Sequence, residues 1–355
     1  LFFDRCNRNS VKIKIRDDLE IGDGCEPFII AEVGSNWRTL DDCLASIEAA
    51  KKAGADAVKF QAFDYESLYG MKYGEKVFWG LSKLADSILS LDWLPHLKNR
   101  ADSIGIEFMC SAFSPELIEE VDPYVNIHKL ASAEMCHVRM LEKLAKIDKP
   151  VFISTGGHTL EEIGRSLNIF GYSGGGRMGN PDVWFTPLVL MYCVSSYPAQ
   201  EIYLENVSYY RQKFNTLVGY SDHSLDIRNI PTLAAALGSC VIEKHFKAIE
   251  CDSPDSSHSL NIQQFSQMVS AIRGKENREL LTQSEQAMIL RHNRRLIATK
   301  DIKVGEVFRE NSNFGIYRSL RDSPSFFTPF RIHEVEGRKA KNEIQIGDAL
   351  TQEDV

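Results

Sequence analysis

Eight short apolar runs, each divided from the next by a loop and an amphipathic stretch, limit what this chain can become. They lie at 27–33, 56–61, 106–111, 125–130, 151–154, 188–194, 216–220 and 240–245. Each is near-continuously apolar and rich in Val, Ile or Phe, as strands covered on both faces are. Helical periodicity falls between them. In TLDDCLASIEAAKKA (39–53), Leu40, Leu44, Ile47 and Ala50 share one face, Thr39 or Asp41 can cap the start, and Gly54 stops the helix. Further helices are expected at 115–120, 139–145, 160–169, 204–213, 228–237 and 262–273. The junctions KKAGADAVKFQ and AAALGSCVIEKHF repeat the same helix–Gly–strand pattern. Eight such alternations in about 250 residues predict an α/β fold of the (β/α)8 (TIM) barrel type. An open dinucleotide-binding sheet would carry GxGxxG after its first strand, and none stands there. The glycines at 174–176 sit in a run rich in Gly, Asn and Pro, which reads as a surface loop.

The rhythm stops near Gly274. GKENRELLTQSEQAMILRHN reads as a polar helical connector, and two similar segments, DIKVGEVFRENS and EIQIGDALTQED, follow it. The expected division is a barrel over 1–275, a connector over 276–290 and a small β-rich domain with internal pseudo-symmetry over 291–355.

Composition narrows the classes of function. With 41 basic and 49 acidic residues the net charge is −8, which disfavours a general nucleic-acid binder. No apolar run reaches the roughly 18 residues of a membrane span. The opening LFFDRCNRNS lacks the pattern of a secretory signal. The 8 Cys form no CxxC pair, and several lie inside apolar runs. They are expected to be reduced thiols of a cytoplasmic protein.

In a barrel the C-terminal ends of the strands face the active-site mouth. Here those ends are polar on almost every strand: Glu32; Lys59 and Gln61; Ser111; Lys129, then Ser132 and Glu134; Ser154; Ser195 and Tyr197; Ser221, Asp222 and His223; Glu243 and His245. Any one of these has a bland reading as a loop or packing residue, but their convergence does not. His223 and His245 stand 22 residues apart, one strand–helix–strand unit, and can share a divalent ion with positions left for water and substrate. Lys59 and Lys129, with Ser111, Ser132, Ser154 and Ser221, suit a phosphate, and loop amides near Gly156 and Gly157 can add donors. Glu32, Glu134 and Asp255 are carboxylates available for proton transfer or for substrate hydroxyls.

The ordered segments FIIAEVGSN, GADAVKFQ, HKLASAE, FISTGG, CVSSYP, GYSDHS and ALGSCVIEKHF resemble the motif series of the N-acetylneuraminate (sialic acid) synthase family. That family includes legionaminate and pseudaminate synthases and spore-coat polysaccharide synthase relatives. The tail RRLIATKDIKVGEVF resembles its C-terminal antifreeze-like (SAF) domain. The resemblance implies condensation of phosphoenolpyruvate with an N-acyl hexosamine, such as N-acetylmannosamine, to a nine-carbon 2-keto acid and phosphate, with C–O cleavage. It implies Mn2+, or else Mg2+ or Co2+, on His223 and His245. Lys59, Lys129, Ser111, Ser132, Ser154 and Ser221 would hold phosphoenolpyruvate. Glu32, Glu134 and Asp255 would move protons or orient water and sugar. Gln61, Ser195 and Tyr197 would face the sugar. It also implies a domain-swapped homodimer in which an Arg of the small domain, Arg318 or else Arg321, reaches the partner's sugar.

Several positions depart from the family pattern. The family's GxNHxG is GSNWRT here, with Trp37 for His. STPF is CSAF, the Asn before Tyr-Pro is Ser195, GPDHxxSL is SPDSSHSL, and KRPGxGI gives way to YRSLRDSP. Phosphate and metal positions are kept while sugar-side positions drift, so the acceptor is expected to differ from N-acetylmannosamine. Two alternatives stand beside this reading. One is a synthase acting on a phosphorylated sugar, for which only Arg38 and Lys247 offer a second anion site. The other is a non-catalytic sugar-binding relative, which would have no need of the His pair.

Overall fold

A computed structural model of the chain describes residues 11–69, 86–173, 176–177, 186–274, 294–319, 323 and 325–355. It falls into two compact units, Leu1–Glu276 and Asn277–Val355. The expected connector at 276–290 and Arg321 lie outside the described residues.

The first unit begins with an antiparallel hairpin, β1 (Lys12–Arg16) and β2 (Leu19–Gly22). Eight parallel strands follow: β3 (Phe28–Glu32), β4 (Ala57–Ala62), β5 (Glu107–Ala112), β6 (His128–Leu130), β7 (Val151–Ser154), β10 (Leu188–Cys193), β11 (Leu217–Asp222) and β12 (Val241–His245). They close into a barrel in chain order, with β12 pairing back onto β3, Val241 opposite Phe28 and His245 opposite Glu32. Strands β8 (Tyr172–Ser173) and β9 (Gly176–Arg177) form a small ribbon after the fifth barrel strand. The helices are α1 (Leu40–Lys52), α2 (Tyr65–Tyr69), α3 (Leu94–Ile104), α4 (Pro115–Val121), α5 (Val138–Leu144), α6 (Leu160–Ile169), α7 (Glu205–Phe214), α8 (Asn229–Ala236) and α9 (Ile262–Ile272). The expected barrel is therefore the observed fold. Thr39, not Asp41, caps α1: its side chain accepts from Asp42 N while the Asp42 carboxylate accepts from Thr39 N.

Strand parity explains the interior. Residues two apart share a face. Ile29, Ala31, Val58, Phe60, Phe108, Cys110, Ile153, Leu190, Tyr192, Val218, Tyr220 and Ile242 point outward and pack beneath the helices. The other parity points into the barrel. Its lower layers are apolar: Phe28, Ile30, Ala57, Met109, Ile127, Phe152, Val189, Met191, Leu217 and Val241. One step higher, the inward positions become Glu32, Lys59, Ser111, Lys129, Ser154, Ser221 and Glu243, all buried. The polar mouth thus rests on a dry plug.

The hairpin, α2, α3 and the β8–β9 ribbon, which lies in the run expected to be a surface loop, were not anticipated. The hairpin supplies Ile13 and Ile21 to the apolar plug, so it seals the end of the barrel opposite the mouth. Arg16 pins it there, donating to Glu107 at 3.0 Å, while Asn126 donates to the other Glu107 oxygen at 2.9 Å. Helix α3 packs Leu94, Leu97 and Ala101 inward and ends on Gly105 at φ 69°. The fourth barrel strand is shorter than the 125–130 run, because a 3-10 turn at Asp122–Tyr124 delays the ladder to His128.

In the second unit, β13 (Arg294–Ala298) pairs antiparallel with β14 (Phe314–Arg318). The two similar segments meet each other. Ile302 N donates to Ile344 O at 2.8 Å and Ile344 N to Ile302 O at 2.9 Å. The matching turn glycines Gly305 and Gly347 have φ of 84° and 91°. That reciprocity is the expected pseudo-symmetry, built around Leu296, Phe308, Phe314, Phe327 and Leu350. Among the described residues no helix is long and apolar enough to cross a membrane. All described cysteines are free thiols. Cys43, Cys110, Cys193 and Cys240 are buried as expected, but Cys136 is exposed, and Cys25 and Cys251 are half-buried.

Candidate active site

The polar strand ends meet in one network at the barrel mouth. Parallel register sets Glu32 beside Lys59, Gln61 beside Ser111, Ser111 beside Lys129, and Ser221 beside Glu243. Lys59 Nζ lies 2.6 Å from Glu32 Oε2 and donates to Ser111 Oγ at 3.1 Å. Gln61 donates to the other Glu32 oxygen at 2.6 Å. Lys129 Nζ donates to Ser154 Oγ at 2.8 Å. Glu243 Oε1 is 3.6 Å from Lys59 Nζ and 3.7 Å from Lys129 Nζ, and accepts from Ser221 Oγ at 3.2 Å.

Two lysines and two carboxylates, all buried, balance one another in a place where a lone charge would be very costly. Burial pushes the Glu32 carboxyl up to about 7, with the Glu243 charge adding to it and Lys59 opposing. Glu243 goes the other way. Burial would raise it, but Lys129, Lys59, His245 and His223 outweigh that and bring it to about 2. Burial lowers the Lys129 ammonium. For Lys59 burial works in the same direction, but Glu243 and Glu32 hold it above its ordinary value. Glu243 is therefore the fixed anion of the pair, and Glu32 is the carboxyl able to hold or release a proton near neutrality. Glu243 ended a strand in the sequence without being given a role; its position between both lysines gives it one.

The imidazoles form a second layer above this network. His223 Nδ1 donates to Val194 O at 2.7 Å, which leaves Nε2 with its lone pair, 3.4 Å from Ser221 Oγ. The His223 and His245 rings are 5.7 Å apart between centroids. His258, which the sequence reading did not single out, lies nearer to His245, at 4.6 Å. The Tyr197 ring covers both His223 and His258, at 4.3 Å and 5.0 Å.

Asp255 is anchored from below: Ser35 N and Ser35 Oγ both donate to its Oδ2 at 2.8 Å. Its Oδ1 faces His258 Nε2 at 3.5 Å and His245 Nδ1 at 4.0 Å. Burial would raise the Asp255 carboxyl, but His245, His258 and Ser35 hold it well below the usual carboxylate range. Burial pushes the His245 imidazole down to about 3.

Other expected positions take different parts. Ser132 and Ser195 hydroxyls sit 3.0 Å apart on the rim. Glu134 lies half-buried in the 3-10 turn Ser132–Glu134, with its carboxyl raised by burial. Ser195 and Tyr197 line an open cleft of about 770 Å3, with Gly157, Cys193, Gln200 and Tyr203. The Gly156 amide is not a free donor at the mouth: it is spent on Cys193 Sγ at 3.1 Å. A Cβ on Gly156 would run into Ser195 Oγ and Cys193 Sγ, so this Gly is required by close packing. Arg318 ends β14 in the second unit, exposed and opposite Arg294.

Trp37, the departure in GSNWRT, faces away from the imidazoles' work. It is 3% exposed, donates from Nε1 to Gly34 O at 2.9 Å, and meets Trp93 edge-on at 5.6 Å in the core beneath the helices. Asn36 stitches the same loop to the last barrel loop, donating to Phe246 O and Ser259 Oγ and accepting from Ser253 Oγ.

Comparison with known proteins follows the same outline. The NeuB family matches residues 46–283, and the SAF domain matches residues 293–355. Pseudaminic acid synthase of Campylobacter jejuni is 36% identical over 350 residues, covering 92% of this chain and 96% of that protein. N,N'-diacetyllegionaminic acid synthase of Campylobacter jejuni is 33% identical over 305 residues, covering 80% and 88%. The solved N-acetylneuraminic acid synthetase of Leptospira borgpetersenii, in complex with citrate, matches with a TM-score of 0.67 at 28% identity, over 79% of this chain and 95% of that one. Seven motifs in order, a closed barrel with a lysine–carboxylate network at its mouth, and a SAF domain agree: this chain belongs to the NeuB family of sialic-acid-type synthases.

Proposed function

We propose that the chain condenses phosphoenolpyruvate with an unphosphorylated N-acyl hexosamine to give a nine-carbon 2-keto acid and phosphate. The observation that carries this is the buried network of Lys59, Lys129 and Glu243 with three serine hydroxyls. Two ammonium groups and several hydroxyls at the end of a dry barrel suit a small, densely charged anion. The phosphate and carboxylate of phosphoenolpyruvate would take Lys59, Lys129, Ser111, Ser154 and Ser221, with Ser132 at the rim.

The sugar would lie in the adjoining cleft, against Ser195, Tyr197 and Gln61. Carbon 3 of the enol forms the new C–C bond to the open-chain aldehyde, whose oxygen takes up a proton. Water then adds at carbon 2, and the C–O bond to phosphate breaks as the ketone forms. Glu32, able to hold or release a proton near neutrality, serves this traffic. Its partners Lys59 and Gln61 fix its orientation. Glu134 and Asp255 are further carboxyls, on loops that follow barrel strands.

Buried, neutral imidazoles and an ionised carboxylate are donors of the type a borderline divalent ion accepts, so the residues present fit Mn2+ or a similar ion. Bound at His223 and His245, the ion would supply Lewis-acid polarisation of the aldehyde. A phosphorylated acceptor is disfavoured because both candidate cations are engaged. Arg38 donates to the carbonyls of Trp37 and Ser35, and Lys247 pairs with Glu250 at 2.8 Å.

The proposed dimer would bring Arg318 of the partner chain to the N-acyl group. The test is phosphate release from phosphoenolpyruvate with Mn2+ and a panel of N-acyl hexosamines, with products read by mass spectrometry. One sugar giving a nine-carbon keto acid supports the reading. Turnover of N-acetylmannosamine far above every modified hexosamine would overturn the expectation of a different acceptor. No release with any sugar would overturn the reaction itself.

A further inference from the structure

We propose that His258, together with Asp255 and His245, forms a two-histidine, one-carboxylate site for a divalent cation in this chain. The inference rests on the metal-dependent reading above and shares His245 and Asp255 with it, but it adds His258, which that reading does not use. His245, Asp255 and His258 each offer one donor atom within 4.8 Å of the others, and His245 Nδ1 and His258 Nε2 lie 4.0 Å and 3.5 Å from Asp255 Oδ1. His245 and His258 are 7% and 4% exposed, and those two nitrogens have no hydrogen-bond partner.

Buried polar atoms without partners are rare and costly, and two of them aimed at one carboxylate oxygen require an explanation. The carboxylate is too far away to satisfy them by itself, at 4.0 Å and 3.5 Å. A cation set among the three would satisfy all of them. The surroundings are built to keep the donors in place. Asp255 Oδ2 is taken by both donors of Ser35, so the free oxygen is the one turned to the imidazoles. Ser259 Oγ donates to Asp255 O at 2.7 Å and so holds the loop that carries His258. The Tyr197 ring lies against His258 on another side. Such supporting contacts orient metal ligands and tune their affinity.

The chemistry of the set predicts its preference. Two imidazoles and one carboxylate favour Mn2+, Co2+ and Zn2+ over Mg2+ and Ca2+, which seek oxygen donors and keep their waters. His258 is an anchoring ligand in this reading, so its loss weakens binding of the ion before any sugar is present.

The test uses the full chain, stripped with a chelator and titrated with Co2+ alone, without phosphoenolpyruvate or sugar. Affinity is read by competition with a chromophoric chelator, and the ligand set by the visible absorption of bound Co2+. His258→Gln and His258→Ala are each expected to lose affinity by more than about 100-fold, beyond the 10- to 100-fold typical of an outer-shell change. Residual Co2+ in these variants should show an altered visible spectrum. Circular dichroism of the metal-free variants controls for folding, and the Gln variant keeps a polar side chain where Ala does not.

Unchanged affinity and spectrum in folded His258→Gln would overturn the proposal. So would a wild-type chain that binds no Co2+, or one that prefers Mg2+. The outcome is separable from the reaction. Tight, His258-dependent Co2+ binding without condensation would keep this site and remove the synthase reading. Condensation that is indifferent to His258 would do the reverse.

Discussion

Glu243→Gln tests whether the two buried lysines depend on one carboxylate for their charge balance. Glu243 Oε1 lies 3.6 Å from Lys59 Nζ and 3.7 Å from Lys129 Nζ. At an effective dielectric of about 20, each contact supplies roughly 4.5 kcal/mol of attraction, and burial of the ions cancels several kcal/mol of the total. Removing one partner of such a set costs about 3–5 kcal/mol. Gln keeps the shape, and its amide oxygen can still accept from Ser221. The charge alone is lost, and Lys129 suffers most because Lys59 retains Glu32. A loss of about 3 kcal/mol lowers the melting temperature of a unit this size by roughly 6–12 °C.

Phosphate should then offset part of the defect, because an anion between the lysines supplies what Glu243 no longer does. Its affinity should rise about tenfold, so its stabilisation of the variant exceeds that of the wild type by about 1.4 kcal/mol at saturating concentration. Scanning calorimetry with and without inorganic phosphate reads both effects. A variant that melts with the wild type, or phosphate that raises both proteins equally, would refute the charge-balance argument.

Two further outcomes follow from other parts of the structure. Gly34 has φ 55°, and a Cβ there would collide with Asp255 Oδ2. Gly34→Ala should therefore cost about 1–2 kcal/mol of stability and displace Asp255. In isothermal titration it should weaken Mn2+ binding while leaving phosphate binding intact; equal loss of both would point to general unfolding instead. His128 titrates at the other end of the barrel wall. Burial lowers its pKa from 6.5, with Asp122 at 2.8 Å opposing. The unfolded chain then takes up the proton first, so stability is full above 6.5 and falls as pH drops toward the folded value. Urea midpoints measured from about pH 7 to 5 should slope less in His128→Gln than in the wild type. Parallel slopes would sink this assignment.

The barrel was legible because its signal is local. A strand alternates sides every residue, so Phe28–Ile30–Glu32 or Val241–Glu243–His245 already encodes an apolar base and a polar mouth in a short run. Burial on both faces made the runs continuous, and eight of them left one economical closure. Lys59, Lys129 and the serines could be named for the same reason: each sits at a strand end. The hairpin was not visible because KIKIR and LEIG are short and half charged. Their reason to pair is the open bottom of the barrel, which exists only once the eight strands have closed.

The loops mark the limit of reading from sequence. Nothing periodic ties Asp255 or His258 to His245, and their approach depends on Ser35 and Asn36 stitching the first barrel loop to the last. Trp37 illustrates the converse. As a departure within a motif it suggested a changed site, yet it fills the core against Trp93. The sequence alone determined the barrel, the SAF-like tail and the residues at the strand ends, because strand and helix periods are properties of neighbouring residues. The tertiary structure decided which carboxylate stays ionised, that the Gly156 amide is spent on Cys193, and that His258 joins His245 and Asp255. Those outcomes depend on distances between segments up to about two hundred residues apart, which close packing in the fold sets and local propensity does not.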